Sequence, residues 1–244
     1  AIQRYVDRGG SVLISVDPRA QTNVYEMLEG WGVLLGDDVV VDRALAVFGQ
    51  ATTPIADAYD GAHPITERLR EPAIFPMVRS VELSPEVAGV YSVLVKTGTE
   101  SWAERDLEGW RASGRAEYDA LDLLGPVPVA VAGSPAGGPT EDDDPTRAET
   151  PRGRIVVFGD SDFASNEYLD ALRNRDLFVN SINWLAGDDS QITVRPNVSR
   201  ASSFQMSQDE FRRIQYLSLF VLPEAIAVFG VITWWLRRKA PGVS

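Results

Sequence analysis

The sequence predicts an α/β fold with a mainly parallel sheet, followed by one C-terminal membrane-spanning helix. Three observations lead there. Helix-like and strand-like patterns alternate from the first residues onward. Two continuous apolar runs, SVLISV and RIVVF, read as strands buried on both faces. Finally, Tyr216 to Leu236 is a 21-residue stretch with one ionisable side chain, Glu224. About 20 apolar helical residues cross a bilayer core.

In chain order, AIQRYVDRGG reads as the last turns of a helix stopped by Gly9. SVLISVDP is the first strand and ends in the turn signal Asp17-Pro18. Thr22 or Asn23 then caps a helix through Val24, Met27, Leu28 and Trp31, which Gly32 stops. Val39 to Val41 is a second short strand. ATTPIADAYDGAHPITERLR is less regular and leads to a short helix at Thr66 to Leu69. Gly89 to Lys96 is strand-like, with a partner around Val127 to Ala132. The polar stretch between them carries Trp102 and Trp110, which cover a sheet edge or line a surface groove.

Gly133 to Arg152 is rich in Pro, Gly and acids and reads as a mobile loop. Its Asp142–Asp144 run lacks the glycine turn and distal glutamate of a calcium loop. Arg154 to Phe158 is a buried strand that ends in Gly159-Asp160-Ser161-Asp162, with a helix starting near Phe163. Asn174 to Leu185 is a helix with Leu177, Phe178, Ile182 and Trp184 or Leu185 as its buried set. SQITVRP closes the domain as an edge strand. Ser207 and Glu210 form a capping box on the helix that enters the span.

The span itself ends in Trp234 and Trp235, suited to a membrane interface, and Arg237, Arg238 and Lys239. Pro223 would kink it. Glu224 is costly in hydrocarbon, which makes contact with a protein partner the expected reason for it. The resulting division is 1–196 for the α/β domain, 197–214 for a membrane-proximal connector, 215–237 for the span and 238–244 for a tail.

Composition narrows the chemistry. Of 244 residues 44% are hydrophobic, enough for a core without staples. There is no cysteine and one histidine, His63. That excludes disulfides, thiol catalysis and multi-histidine metal sites. The net charge is −12. From Arg195 onward seven cations face three acids, +4, which leaves −16 for residues 1–194. An acidic body is a poor nucleic-acid binder.

Gly159-Asp160-Ser161 at a strand end has the form of the nucleophile turn in GDS-type serine hydrolases. Such a serine needs a histidine base, and none follows Ser161. The plainer reading has Asp160 and Asp162 capping the next helix and Gly159 making the turn. The phosphate-binding pattern G-x-x-x-x-G-K-S/T is absent, so the chain should not hydrolyse ATP by itself. Three functions stay open: an accessory protein, an anchored hydrolase using Ser161, or a carbohydrate- or peptide-binding module. The last would use the turns at Asp17, Asp160, Ser161 and Asp162.

RYVDRGGSVLISVDP, GRIVVFGDSDFASN, DLFVNSINWLAGDDSQITVRP and the terminal WWLRRK together resemble the gliding-motility-type auxiliary proteins of ABC-2 transporters. The resemblance runs from about Arg4 to Lys239. It implies a domain related in fold to flavodoxin-like and glutamine-amidotransferase-like sheets, held extracytoplasmically at a bacterial inner membrane beside an ABC-2-type permease and its ATPase. It also implies a non-catalytic role without cofactors. Family members usually carry upstream membrane-inserted sequence and the first part of the α/β domain. The lipid bilayer and the permease are the expected partners, with Pro223 and Glu224 as the permease contact.

Overall fold

A computed structural model describes residues 1–46, 49–85, 91–135, 153–187, 216, 220 and 222–239. The expected edge strand SQITVRP, the Ser207 capping box and all but the first residues of the 133–152 loop lie outside them. The chain divides into two compact units, Ala1–Asn197 and Val198–Ser244.

The first unit opens with α1 (Ile2–Val6), β1 (Val12–Ser15), α2 (Val24–Gly30), β2 (Val33–Leu35), β3 (Val39–Asp42) and α3 (Arg43–Ala46). Next come β4 (Ile55–Tyr59), β5 (Ala73–Ile74), β6 (Val81–Leu83), β7 (Tyr91–Thr97) and β8 (Ser101–Glu104). It closes with α4 (Leu107–Ser113), β9 (Leu123–Leu124), β10 (Pro128–Gly133), β11 (Ile155–Phe158), a 3₁₀ turn at Asp162–Ala164 and α5 (Asn174–Leu185).

Six strands form the main sheet in the order β1-β11-β10-β7-β4-β5; β2-β6 and β3-β8-β9 form two smaller sheets. Among the described residues only β1 and β11 pair in parallel. The other described pairings are antiparallel. The expected mainly parallel, flavodoxin-like or glutamine-amidotransferase-like sheet is therefore corrected to a mixed, mostly antiparallel one. The physical reason lies in the connections. Parallel neighbours need crossovers, usually helical, whereas antiparallel neighbours do not. Between β4 and β11 the one described α-helix is the seven-residue α4.

The apolar runs misled because two-sided burial arises here without parallel crossovers. In β11 every residue is buried. Val156 and Phe158 face one core cluster, with Phe75, Phe163, Leu177 and Trp184. Ile155 and Val157 face another, with Leu28, Trp31, Val33 and Val81. By contrast β1, expected to be buried, is an edge strand with all four residues half-exposed. The short helix expected at Thr66 to Leu69 is a run of turns. Trp102 covers no edge: it lies inside β8, 6% exposed.

α5 forms over the expected residues, yet its buried side is largely polar. Asn174, Asp176, Asn180 and Ser181 are buried with Leu177 and Trp184, while Ile182 is 42% exposed. The polar residues serve neighbouring backbone. Asn174 Oδ1 accepts from Ile74 N–H at 2.9 Å, and its Nδ2 donates to the carbonyls of Ile74, Phe163 and Tyr168. Asn180 donates to Ile65 O. One side of the helix thus ties three loops to the sheet.

The second unit holds α6 (Leu222–Lys239). Among the described residues no helix is long and apolar enough to cross a membrane. This overturns the expected span over 215–237. The 18 described residues Leu222–Lys239 carry four charges, Glu224, Arg237, Arg238 and Lys239, and charge is costly in a hydrocarbon core. Glu224 further interrupts its first turn.

Candidate functional site

The parallel pair β1–β11 brings two turns together at its carboxyl end. β1 continues through Val16, whose N–H donates to Phe158 O, into Asp17. β11 continues through Gly159, whose N–H donates to Val129 O and whose carbonyl accepts from Arg79 N–H. A Cβ on Gly159 would overlap the Arg79 carbonyl oxygen, so this backbone approach requires glycine.

Ser161 then meets Asp17 twice. Its N–H donates to Asp17 Oδ1 at 2.6 Å and its hydroxyl to Oδ2 at 2.8 Å. Asp160 is 1% exposed. Its Oδ1 accepts from Asp162 N–H at 2.7 Å and its Oδ2 from Phe163 N–H at 3.1 Å. Burial pushes the Asp160 carboxyl up to about 8. The nearby charges of Asp17 and Asp162 push the same way, against the two backbone donors. Burial wins because an ionised carboxylate taken from water loses more than two amides return.

Arg79 braces the cluster from below. It is 3% exposed. Its Nε donates to Gly36 O at 2.6 Å and its Nη2 donates to the same oxygen. Its Nη1 donates to Asp17 O at 3.2 Å and to the Tyr25 hydroxyl at 2.6 Å. The guanidinium lies 5.1 Å over the Tyr25 ring. A planar fork reaching three segments suits arginine and no other side chain.

Of the residues read as candidates, Asp17, Asp160 and Ser161 are brought together, and Asp162 joins through its backbone while its side chain is exposed. Arg79 and Tyr25 were not anticipated. The available signal was a lone arginine inside the apolar stretch from Phe75 to Val81. Pro223 and Glu224 lie in the first turn of α6, both exposed.

The hydrolase constellation is not assembled. The Ser161 hydroxyl donates to a carboxylate, not to an imidazole. His63 accepts from Ile65 N–H on Nδ1 at 3.2 Å, and its ring stands 5.0 Å from that of Trp184. Among the described residues no group of three or more His, Cys, Asp or Glu could hold a metal ion. An open groove of about 770 Å³ lies along α4, lined by Trp110, Arg115, Glu117 and Tyr118 with several acids. Those acids are engaged: Glu104 accepts from Trp102 Nε1 and Asp106 N–H, Asp106 from Gly109 N–H, and Asp119 from Leu121 N–H.

The family model described as "ABC-type uncharacterized transport system", an auxiliary component, matches residues 1–183. The chain belongs to this family. The match covers the β1–β11 turns, Arg79 and most of α5, and stops short of α6. As a family member the chain is an auxiliary component of an ABC-type transport system. No curated protein sequence matches it. Among solved structures, the mmIFT52 N-terminal domain is similar in fold, with a TM-score of 0.52 at 16% identity, covering 75% of this chain and 68% of that one. A ThuA-like protein from Bacteroides uniformis matches at a TM-score of 0.39 and 14% identity, covering 75% of this chain and 61% of that one.

Proposed function

We propose that this auxiliary component is non-catalytic and works by binding the permease or cargo of its transport system, on the extracytoplasmic side of a bacterial inner membrane. The observation that carries this reading is the closed state of the carboxyl-end turn. Both Asp17 oxygens are taken by Ser161, and both Asp160 oxygens by backbone amides. A serine nucleophile of the hydrolase type needs a histidine base within hydrogen-bond reach, whereas the Ser161 hydroxyl donates to the Asp17 carboxylate and His63 accepts from Ile65 N–H. The same closure argues against the turn as a carbohydrate or peptide site.

The permease and a separate ATPase are the proposed partners. Contact with a membrane-embedded partner needs no span in this chain. Pro223 and Glu224 begin a helix whose Ile226, Phe229 and Trp234 are all more than half exposed, an apolar surface of the kind that marks protein contacts.

Ester hydrolysis tests the non-catalytic half. Wild type and Ser161→Ala should both stay at the rate of buffer. A wild-type rate above buffer that Ser161→Ala abolishes would remove the proposal.

A further inference from the structure

We infer that Asp160, Ser161 and Asp162 form a latch, closed onto Asp17 while the Asp160 carboxyl keeps its proton and loosened once that proton passes to water. Both ends of the segment are fixed. At one, Gly159 donates to Val129 O and accepts from Arg79 N–H, each at 3.0 Å. At the other, the Phe163 ring is fully buried, 4.4 Å from the ring of Phe158 and 5.3 Å from that of Phe75. Among the described residues, the side-chain hydrogen bonds of residues 160–162 end on two carboxyls. Asp17 takes the N–H and the hydroxyl of Ser161. Asp160 takes the N–H groups of Asp162 and Phe163. The carbonyls of Ser161 and Asp162 accept from Ala164 and Ser165 N–H, in the 3₁₀ turn and not in the sheet. Three residues can therefore swing outward with the sheet and the aromatic core in place.

Charge decides how tightly the segment closes. The groups facing Asp160 are Asp17 from the turn after β1, Asp162 on its own turn, and the Tyr168 phenol, itself pushed up by burial and by acids that include Asp160. The cation of the neighbouring segment, Arg79, ends on Gly36 O, Asp17 O and the Tyr25 hydroxyl. An ionised Asp160 keeps two amide donors but loses its water and meets two negative neighbours. It regains water by turning outward. Ser161 is the next residue in the chain, so that movement draws its N–H and hydroxyl off Asp17. The sign follows from linkage. The carboxyl has its ordinary 3.8 in the open turn and about 8 in the closed one. Closure is therefore firmest below about pH 4, weakens about ten-fold per pH unit, and levels off above about pH 8. Opening uncovers the Asp17 carboxylate and the Ser161 hydroxyl, both half-buried in the closed turn.

Amide hydrogen exchange on the full 244-residue chain, corrected for the intrinsic pH dependence of exchange, tests this. From about pH 5 to about pH 7, protection at Ser161, Asp162 and Phe163 should fall about a hundred-fold. At every pH it should stay below the protection of Val16 and Gly159, whose N–H groups are bonded within the sheet. Asp160→Asn has no proton to lose, and its protection at these amides should not change with pH. Asp162→Asn keeps the backbone donor and removes one exposed charge that opposes ionisation of Asp160. Its protection should fall as in wild type but level off at a lower pH, which keeps the test open should Asp160→Asn fail to fold. Protection in wild type that does not vary with pH overturns the inference. So does protection equal to that of Val16 and Gly159, because the turn would then open only with the whole unit. An Asp162→Asn curve that coincides with wild type overturns it as well.

Discussion

Asp160 makes the clearest residue-scale prediction. Its folded value, about 8, stands above its ordinary 3.8. The folded state therefore holds a proton that the unfolded state releases between those values. Stability from this group is full below about pH 4 and is lost as pH rises toward 8, with a slope of at most ~1.4 kcal/mol per unit. Asp160→Asn has no such proton. Urea melts at several pH values should show wild type losing stability relative to the variant from pH 5 to pH 8; parallel curves would contradict the assignment. Asn174 makes a second prediction. Asn174→Ala strands Ile74 N–H and C=O and cuts two further loop contacts. The cost should be about 3 kcal/mol or more, read as a lowered urea midpoint at unchanged slope. Arg79→Lys, which cannot bridge Gly36, Asp17 and Tyr25 together, should cost about 2 kcal/mol in the same assay. Neither role was legible beforehand. A polar residue on a helix and an arginine in an apolar run look like solvated positions until the loops they hold are in place.

Elements were legible where local pattern decides them. β11, α2 and α5 lie where periodicity and stop signals put them, because apolar spacing and glycine act over a few residues. Sheet direction was not, because pairing joins residues far apart in the chain: Ala132 faces Val156 and Ala56 faces Thr97. The same continuous apolar run describes a central strand in either sense. The buried side of α5 was misread for a related reason. A hydrophobic period finds Ile182, whereas this helix packs against loop backbone and needs amides and hydroxyls to satisfy it. α6 carries an element-scale prediction. If its first turn contacts the permease, Glu224→Leu and Phe229→Asp should each reduce the amount of permease captured with the chain by several-fold. Circular dichroism should show the helix content kept. Undiminished capture would move the contact to the first unit.

At the scale of the whole molecule, charge and chemistry point one way. An acidic body, a turn sealed by its own hydrogen bonds, and membership of an auxiliary transport family support the proposal that the protein acts through contacts. Family membership was legible in the order of four sequence blocks. The membrane span was not borne out: among the described residues no helix is long and apolar enough to cross a membrane, and Leu222–Lys239 bears four charges. The proposed role of the chain is to bind transporter components. Affinity purification of the tagged wild-type chain from its native membranes in mild detergent, with the captured proteins identified by mass spectrometry, tests it most directly. A multi-span permease and its ATPase should be enriched together over an untagged control. Capture of neither, with the chain itself recovered folded, would contradict it.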